Sequence, residues 1–114
     1  MGQVSSESIG LRQFSGTGGQ VDYVRGASMG VDGKSIIAMP STAKNGETSR
    51  IVPLLKEGSA VTTSRNDVQY IVTEYGIADL RGKTLEQRAK ALINIAHPKF
   101  RAQLTQEVED RFKV

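Results

Sequence analysis

Three glycines within four positions, Gly16, Gly18 and Gly19, form the stretch of this chain whose residue types best suit chemistry. The residues that follow have the apolar spacing of a short helix over 20–29. Glycine adopts left-handed backbone and lets another group approach closely, and a helix start presents N–H groups that have no intrahelical partner. Such a turn can bind a phosphate or a developing oxyanion. A glycine-rich surface turn is the alternative interpretation.

Two known phosphate-binding patterns do not fit this stretch. The dinucleotide fingerprint G-x-G-x-x-G, begun at Gly16, would need Gly or Ala where Val21 stands. The phosphate loop G-x-x-x-x-G-K-S/T would need Lys and then Ser or Thr after its second glycine, and the chain has neither there. Neither motif therefore identifies a ligand for the glycine turn.

Composition limits the classes of function. A length of 114 residues suits one domain or part of one. The net charge of +3 comes from scattered basic residues, and with only 5% aromatic residues it does not indicate nucleic-acid binding. There is no cysteine and His97 is the single histidine, so no metal cluster is predicted. Without a membrane-length apolar run or a signal-peptide pattern, a cytoplasmic protein is the expectation.

Short apolar runs separated by turn residues predict strands in the first two thirds of the chain. The predicted strands cover residues 35–39, 50–55, 60–63 and 68–74. The last of them is the richest in β-branched residues. Pro53 restricts the second to a sheet edge or a strand end, and the pair Asn45-Gly46 predicts a turn ahead of it.

After residue 83 the apolar spacing becomes that of helices. Thr84 and Gln87 have the spacing of a capping box and predict a helix over residues 84–96. Pro98 suits the first position of a second helix, over residues 98–112. His97, directly before it, is expected to be a cap or a surface residue. Strands followed by two helices predict an α/β or α+β layered unit.

Three stretches together resemble the C-terminal domain of the acetyl-CoA hydrolase/transferase family, which includes 4-hydroxybutyrate, butyryl and acetate CoA-transferases. They are GTGGQVDY at 16–23, STAK at 41–44 and VTEYGIADLRG at 72–82, and AHPKFR at 96–101 is similar to the family's C-terminal stretch. The resemblance implies an α/β fold, a partial CoA-transferase-like (NagB/RpiA-like) layered domain with a short, mostly parallel sheet and C-terminal helices. It also implies that residues 1–114 are the C-terminal part of that domain, and so a fragment of a larger two-domain enzyme.

By this resemblance the enzyme would move CoA between an acyl-CoA and a short-chain carboxylate. A glutamate carboxylate attacks the acyl-CoA, and the CoA thiolate then converts the anhydride into a glutamyl-CoA thioester. In the family that nucleophile lies upstream of the matched segment, so this chain is expected to lack it and to be inactive alone. Acyl-CoA hydrolysis is an alternative activity. An isolated, non-catalytic CoA-binding or structural module is a second alternative.

The resemblance also implies roles for the glycine turn. Gly19 matches the glycine whose backbone N–H faces the oxyanion and the CoA thioester, and a backbone donor there can reach an oxygen that a Cβ would obstruct. Its neighbours Gly18 and Gln20 are included in the same oxyanion and CoA-binding turn.

Two charged residues complete the implied site. Lys44 matches a CoA-contacting lysine, whose ammonium suits a phosphate or another anionic group; a solvated loop lysine is the alternative. Glu74 matches a glutamate near the active site that could orient the nucleophile or shift its pKa. A strand-end carboxylate paired with Arg81 or Arg65 is the alternative for Glu74.

The resemblance implies the partners as well. Coenzyme A is expected as a substrate, with no cofactor bound covalently at rest. The expected partners are an acyl-CoA, a short-chain carboxylate, the N-terminal half of the same enzyme and, at full length, a second copy in a homodimer. No nucleic acid, membrane or metal is expected to bind.

Overall fold

The structure, a computed structural model of the chain, describes residues 1–113. Two short strands, a helix, five short strands and two helices follow one another along it. The helices are α1 (Gln20–Met29), α2 (Leu85–Asn94) and α3 (Pro98–Phe112). The strands are β1 (Ser8–Ile9), β2 (Arg12–Gln13), β3 (Ile36–Ala38), β4 (Thr42–Ala43), β5 (Thr48–Ser49), β6 (Tyr70–Thr73) and β7 (Gly76–Asp79). Over these residues, every helix is too short or too polar to span a membrane.

The central sheet has the strand order β3-β6-β7. Strand β6 pairs in parallel with β3, so that Ile37 lies beside Ile71, and antiparallel with β7, so that Ile71 lies beside Ala78. The two-residue turn between β6 and β7 ends at Gly76, whose φ of 144° is one that L side chains rarely adopt. The turn therefore depends on glycine at that position.

The hydrophobic core lies on one face of this sheet. Ile71 and Ala78 from the sheet pack in one cluster with Ile93 of α2 and Leu104 of α3, and Leu80 of the same cluster has no exposed surface. Burying these side chains supplies most of the stabilisation that holds the two helices to the sheet.

The predicted helices are confirmed, and so are their local start signals. At α2 the Thr84 hydroxyl accepts from the Gln87 N–H at 3.2 Å and the Gln87 side chain accepts from the Thr84 N–H at 2.9 Å, which is the predicted capping box. Helix α3 begins at Pro98, and His97 caps it by accepting the Lys99 N–H on Nδ1 at 3.2 Å. Both helix starts form as predicted, because the capping box and the proline each act on residues within four positions of them.

Strand predictions were correct where a neighbouring strand is available. Strands β3 and β6 lie within the predicted ranges, and the α/β class is confirmed. The predictions of strands over 50–55 and 60–63 are wrong. Pro53 has no N–H to donate to a ladder, and in the second segment the backbone of Thr63 pairs only as a single isolated bridge to Val4.

The prediction of a mostly parallel sheet also needs correction. Only the β3–β6 pairing is parallel, whereas β6–β7 and the two small hairpins β1–β2 and β4–β5 are antiparallel. The reason is local, since turns of two to four residues can join antiparallel strands but not parallel ones. The predicted turn at Asn45-Gly46 is confirmed within the second hairpin, where Asn45 has φ 56°.

Candidate functional site

The glycine turn leads directly into helix α1, as predicted. Gly19 is the N-cap residue with φ −96° and ψ 9°, and no side chain caps this helix start. The first N–H groups of α1 therefore remain available as donors. Gly18 has φ 57° with open space around it, so its backbone conformation is the feature that requires glycine there.

Gly19 differs from Gly18 in what its missing side chain would meet. A Cβ built at Gly19 would touch only the Tyr23 ring, at 3.2 and 3.4 Å. That ring belongs to a side chain that is 83% exposed and can move aside. Within residues 1–113, neither backbone conformation nor packing therefore requires glycine at position 19.

A buried carboxylate holds the chain that leads into the turn. Glu7 is 6% exposed, and its carboxylate accepts from the Thr62 hydroxyl at 3.0 Å and from the Gln13 side chain at 2.7 Å. Its backbone carbonyl accepts the N–H groups of Phe14 and Ser15 at 3.0 and 3.3 Å. Sequence reasoning missed Glu7, because its buried partner Thr62 lies 55 positions away in the chain.

Gln20, predicted in the CoA-binding turn, is bound to the protein itself. Its side-chain oxygen accepts from the fully buried Thr63 hydroxyl at 2.7 Å, and its side-chain nitrogen donates to the Ser6 hydroxyl at 3.0 Å. These bonds attach the start of α1 to the segments around Ser6 and Thr63. The Gln20 side chain thus has a positioning contact in this structure.

Glu74 lies in the turn between β6 and β7 and accepts the Ser41 N–H at 2.7 Å. Hydrogen bonding from Ser41, through its side chain and then its backbone, lowers the pKa of the Glu74 carboxyl below its ordinary value. Of these two contacts, only the one from the Ser41 backbone N–H has full hydrogen-bond geometry. The buried Ser41 hydroxyl makes no hydrogen bond over residues 1–113. No salt bridge joins Glu74 to Arg81 or Arg65 over the same residues.

The turn that carries Glu74 is anchored on both sides. The Thr73 hydroxyl donates to the Ile95 carbonyl at 2.6 Å and accepts the Tyr75 N–H at 3.1 Å. The Tyr75 ring meets the His97 ring edge-on with centroids 5.4 Å apart, and the Arg101 guanidinium lies 5.4 Å from the Tyr75 centroid. The carboxylate is thus exposed but fixed in place, and its positioning partners were not predicted.

Lys44 lies in the β4–β5 turn, three positions after Ser41 in the chain. It is exposed and has φ 51°, an unusual conformation for a residue with a side chain. No hydrogen bond or salt bridge of its side chain is found over residues 1–113. A second lysine is close to this turn, since Lys99 Nζ lies 3.6 Å from a Cβ built at Gly46.

The predicted site residues therefore form two groups. The glycine turn with Gln20 is one. Glu74 and Lys44 are the other, because Ser41, which donates to Glu74, precedes Lys44 by three positions in the chain. In the described part of the chain no hydrogen bond or salt bridge links the two groups. A cavity of about 470 Å³, lined by residues that include Ile51, Leu104 and Val108, touches neither group.

This combination defines a class of protein. An α/β unit that presents free backbone N–H groups at a glycine turn, and elsewhere a fixed carboxylate and an exposed lysine, suits a protein that binds an anionic substrate. The chain matches the family model described as "Acetyl-CoA hydrolase/transferase C-terminal domain" over residues 1–108. The chain belongs to this family, whose named members are enzymes.

Individual relatives agree with the family match. The chain is 67% identical over 112 residues to the 4-hydroxybutyrate coenzyme A transferase of Clostridium kluyveri, covering 98% of this chain and 26% of that protein. It is 52% identical over 111 residues to the butyryl-CoA:acetate CoA-transferase of Anaerostipes caccae, covering 95% and 25%. The crystal structure of RipA from Yersinia pestis matches with a TM-score of 0.88 at 46% identity, covering 96% and 24%. The chain thus spans about a quarter of the length of these proteins.

Proposed function

We propose that this chain is the CoA-contacting C-terminal part of an enzyme that moves CoA between an acyl-CoA and a short-chain carboxylate. The observation that carries the proposal is the glycine at position 19. The described fold does not need it, and the helix start beside it has no side-chain cap. A group that approaches from outside the chain, and that a Cβ would obstruct, accounts for both features.

The chemistry assigns the glycine turn a role in stabilising charge. A glutamate carboxylate, supplied by another part of the enzyme, forms a bond to the thioester carbonyl carbon, and the C–S bond breaks to release the CoA thiolate. That thiolate attacks the glutamyl carbonyl of the anhydride, which gives the glutamyl-CoA thioester and frees the first carboxylate. A second carboxylate then repeats the two steps in reverse. Each attack puts negative charge on a carbonyl oxygen, and an N–H donor at Gly19 would stabilise it.

Lys44 and Glu74 have supporting roles in this proposal. An exposed ammonium without a partner in residues 1–113 suits the phosphates of CoA. Hydrogen bonding from Ser41 lowers the pKa of the Glu74 carboxyl below its ordinary value, which favours the ionised form. This carboxylate would act on the incoming nucleophile through its charge, by orienting it or shifting its pKa.

The test uses a chimera in which this chain replaces the matching 112 residues of the Clostridium kluyveri enzyme, to which it is 67% identical. CoA transfer from an acyl-CoA to a carboxylate is measured for the chimera and for Gly19→Ala within it. The variant keeps the N–H at position 19, but its Cβ would keep the oxyanion from reaching that donor. The expected fall in kcat is therefore that for the loss of one oxyanion hydrogen bond, about 10²–10³. Release of free CoA without a new acyl-CoA would instead identify the hydrolase.

The matched control is Gly16→Ala, since a Cβ at Gly16 has no atom within 4 Å. It should leave both turnover and the thermal melt unchanged. Gly19→Ala with parental turnover would remove the oxyanion assignment. Gly19→Ala with a melt that falls in step with activity would mean that the glycine is structural. The isolated chain should show no turnover, and activity from it would contradict the claim that the nucleophile lies elsewhere.

A further inference from the structure

The glycine turn consists of residues 16–19, and all four residues are exposed. A Cβ added at either of its first two glycines would have no atom within 4 Å, and one at Gly19 would meet only the Tyr23 ring. Over residues 1–113 its hydrogen bonds are local, from the Ser15 hydroxyl to the Gly16 carbonyl and from the Tyr23 N–H to the Gly19 carbonyl. The position of the turn therefore depends on the residues at its two ends.

The exit of the turn is attached to the interior by the side chain of Gln20. It accepts from the Thr63 hydroxyl at 2.7 Å and donates to the Ser6 hydroxyl at 3.0 Å. Thr63 has no exposed surface, and its backbone forms a bridge to Val4. This end of the turn therefore has a fixed anchor.

The entrance of the turn is attached by the side chain of Gln13. Its amide nitrogen has two N–H groups, and it donates to the Glu7 carboxylate and to the Ser15 carbonyl at 2.7 Å each. Ser15 directly precedes the turn. The Glu7 carboxylate is buried and also accepts from the Thr62 hydroxyl at 3.0 Å. Gln13 thus connects the entrance of the turn to a group that is itself held in place.

An oxyanion donor has to be in position before the charge develops, and a displacement of about 1 Å can cost about 100-fold in rate. The contacts of the turn itself cannot fix it that closely, so the contacts at its ends must do so. We infer that Gln13, anchored on the buried Glu7 carboxylate, is a positioning residue that holds the glycine turn in place for the reaction. The inference rests on the proposed function, because Gln13 acts through the N–H donor at Gly19.

Replacing Gln13 with methionine in the chimera described above tests the inference. Methionine has a side chain of similar length but lacks both N–H donors. Gln13→Met should lower kcat by about 10- to 100-fold and leave KM nearly unchanged, since the donor it places acts in the transition state. The melting temperature should change little, because Gln13 is exposed. Parental kcat, or a melt that falls in step with activity, would overturn the inference.

The matched control is the same substitution at Gln106. This glutamine of α3 is also exposed, and its side chain also donates to a carboxylate, that of Asp110, at 3.1 Å. Gln106→Met should leave kcat and the melting temperature at the parental values. A loss of turnover equal to that of Gln13→Met would show that the effect is not specific to the glycine turn, and would overturn the inference.

A double variant shows whether Gln13 acts through Gly19. Gln13→Met combined with Gly19→Ala should lose no more turnover than Gly19→Ala alone, since a blocked donor gains nothing from correct placement. Losses that multiply would overturn the inference and leave the oxyanion assignment of Gly19 intact. Parental turnover of Gly19→Ala alone would instead overturn the proposed role of Gly19, and the inference with it.

Amide hydrogen exchange measures the placement of the turn without turnover. The N–H groups of Phe14 and Ser15 donate to the Glu7 carbonyl at 3.0 and 3.3 Å. When Gln13→Met releases the entrance of the turn, these two amides should exchange at least about 10-fold faster. Exchange at the parental rate would overturn the inference, whatever the kinetics of the variant.

Discussion

Replacing Glu7 with alanine should lower the free energy of unfolding of this chain more than replacing an exposed charged residue does. The carboxylate is buried and accepts two hydrogen bonds, from Thr62 at 3.0 Å and from Gln13 at 2.7 Å. Over residues 1–113 it has no salt-bridge partner. The hydrogen bonds therefore provide the favourable interactions that offset its removal from water.

The magnitude can be worked from these contacts. A hydrogen bond to a charged group contributes about 1.5–3 kcal/mol, and the bond from the buried Thr62 hydroxyl should be near the upper part of that range. The bond from Gln13 contributes less, because Gln13 is exposed. Offsetting these losses, the cost of burying the carboxylate itself disappears. A net loss of about 2–4 kcal/mol in the free energy of unfolding is expected.

Urea denaturation followed by circular dichroism measures this loss. With a slope of about 2 kcal/mol per molar urea, the midpoint should fall by about 1–2 M. The matched control is Glu57→Ala, since Glu57 is exposed and makes no salt bridge in the described chain. It should change the free energy by less than about 0.5 kcal/mol. Equal midpoints for the Glu7 and Glu57 variants would refute the reasoning.

Further predictions concern the second group of site residues. In the chimera, Lys44→Ala should raise KM for CoA substrates more than it lowers kcat, as expected when uniform binding is lost, and Lys34→Ala, a loop control, should change neither. A fall in kcat alone would remove Lys44 from CoA binding. The lowered pKa of folded Glu74 means that its bond to Ser41 stabilises the fold above the ordinary glutamate pKa and is lost as pH falls through the folded value. The Ser41 amide proton should therefore titrate, by NMR, with a midpoint below the ordinary glutamate pKa, and Glu74→Gln should remove the titration; a midpoint at or above that pKa would contradict the assignment.

The accuracy of the sequence predictions depended on the distance over which each signal acts. The starts of α2 and α3 were predicted correctly because a capping box and a proline act within one helical turn. Residues 50–55 and 60–63 have apolar runs like those of true strands, but a strand also needs a partner with free N–H and C=O groups. No local pattern reveals whether that partner exists.

The site was predictable in composition but not in arrangement. Gly19, Lys44 and Glu74 were identified from short stretches of sequence, and their roles stay predictions. The partner of Glu74 is Ser41, 33 positions away in the chain, so no spacing rule could have identified the hydrogen bond that lowers the carboxyl pKa. Glu7 was missed for the same reason, since Thr62 lies 55 positions from it.

The sequence by itself determined the features that depend on backbone freedom and on neighbours a few residues away. These are the glycine turn before α1, the turn at Asn45-Gly46 and the helix starts at Thr84 and Pro98. Only the tertiary structure decided which apolar runs pair, which polar groups are buried with partners, and which face of the central sheet the core covers. Those outcomes depend on burial and on contacts between segments far apart in the chain, which local propensity does not encode.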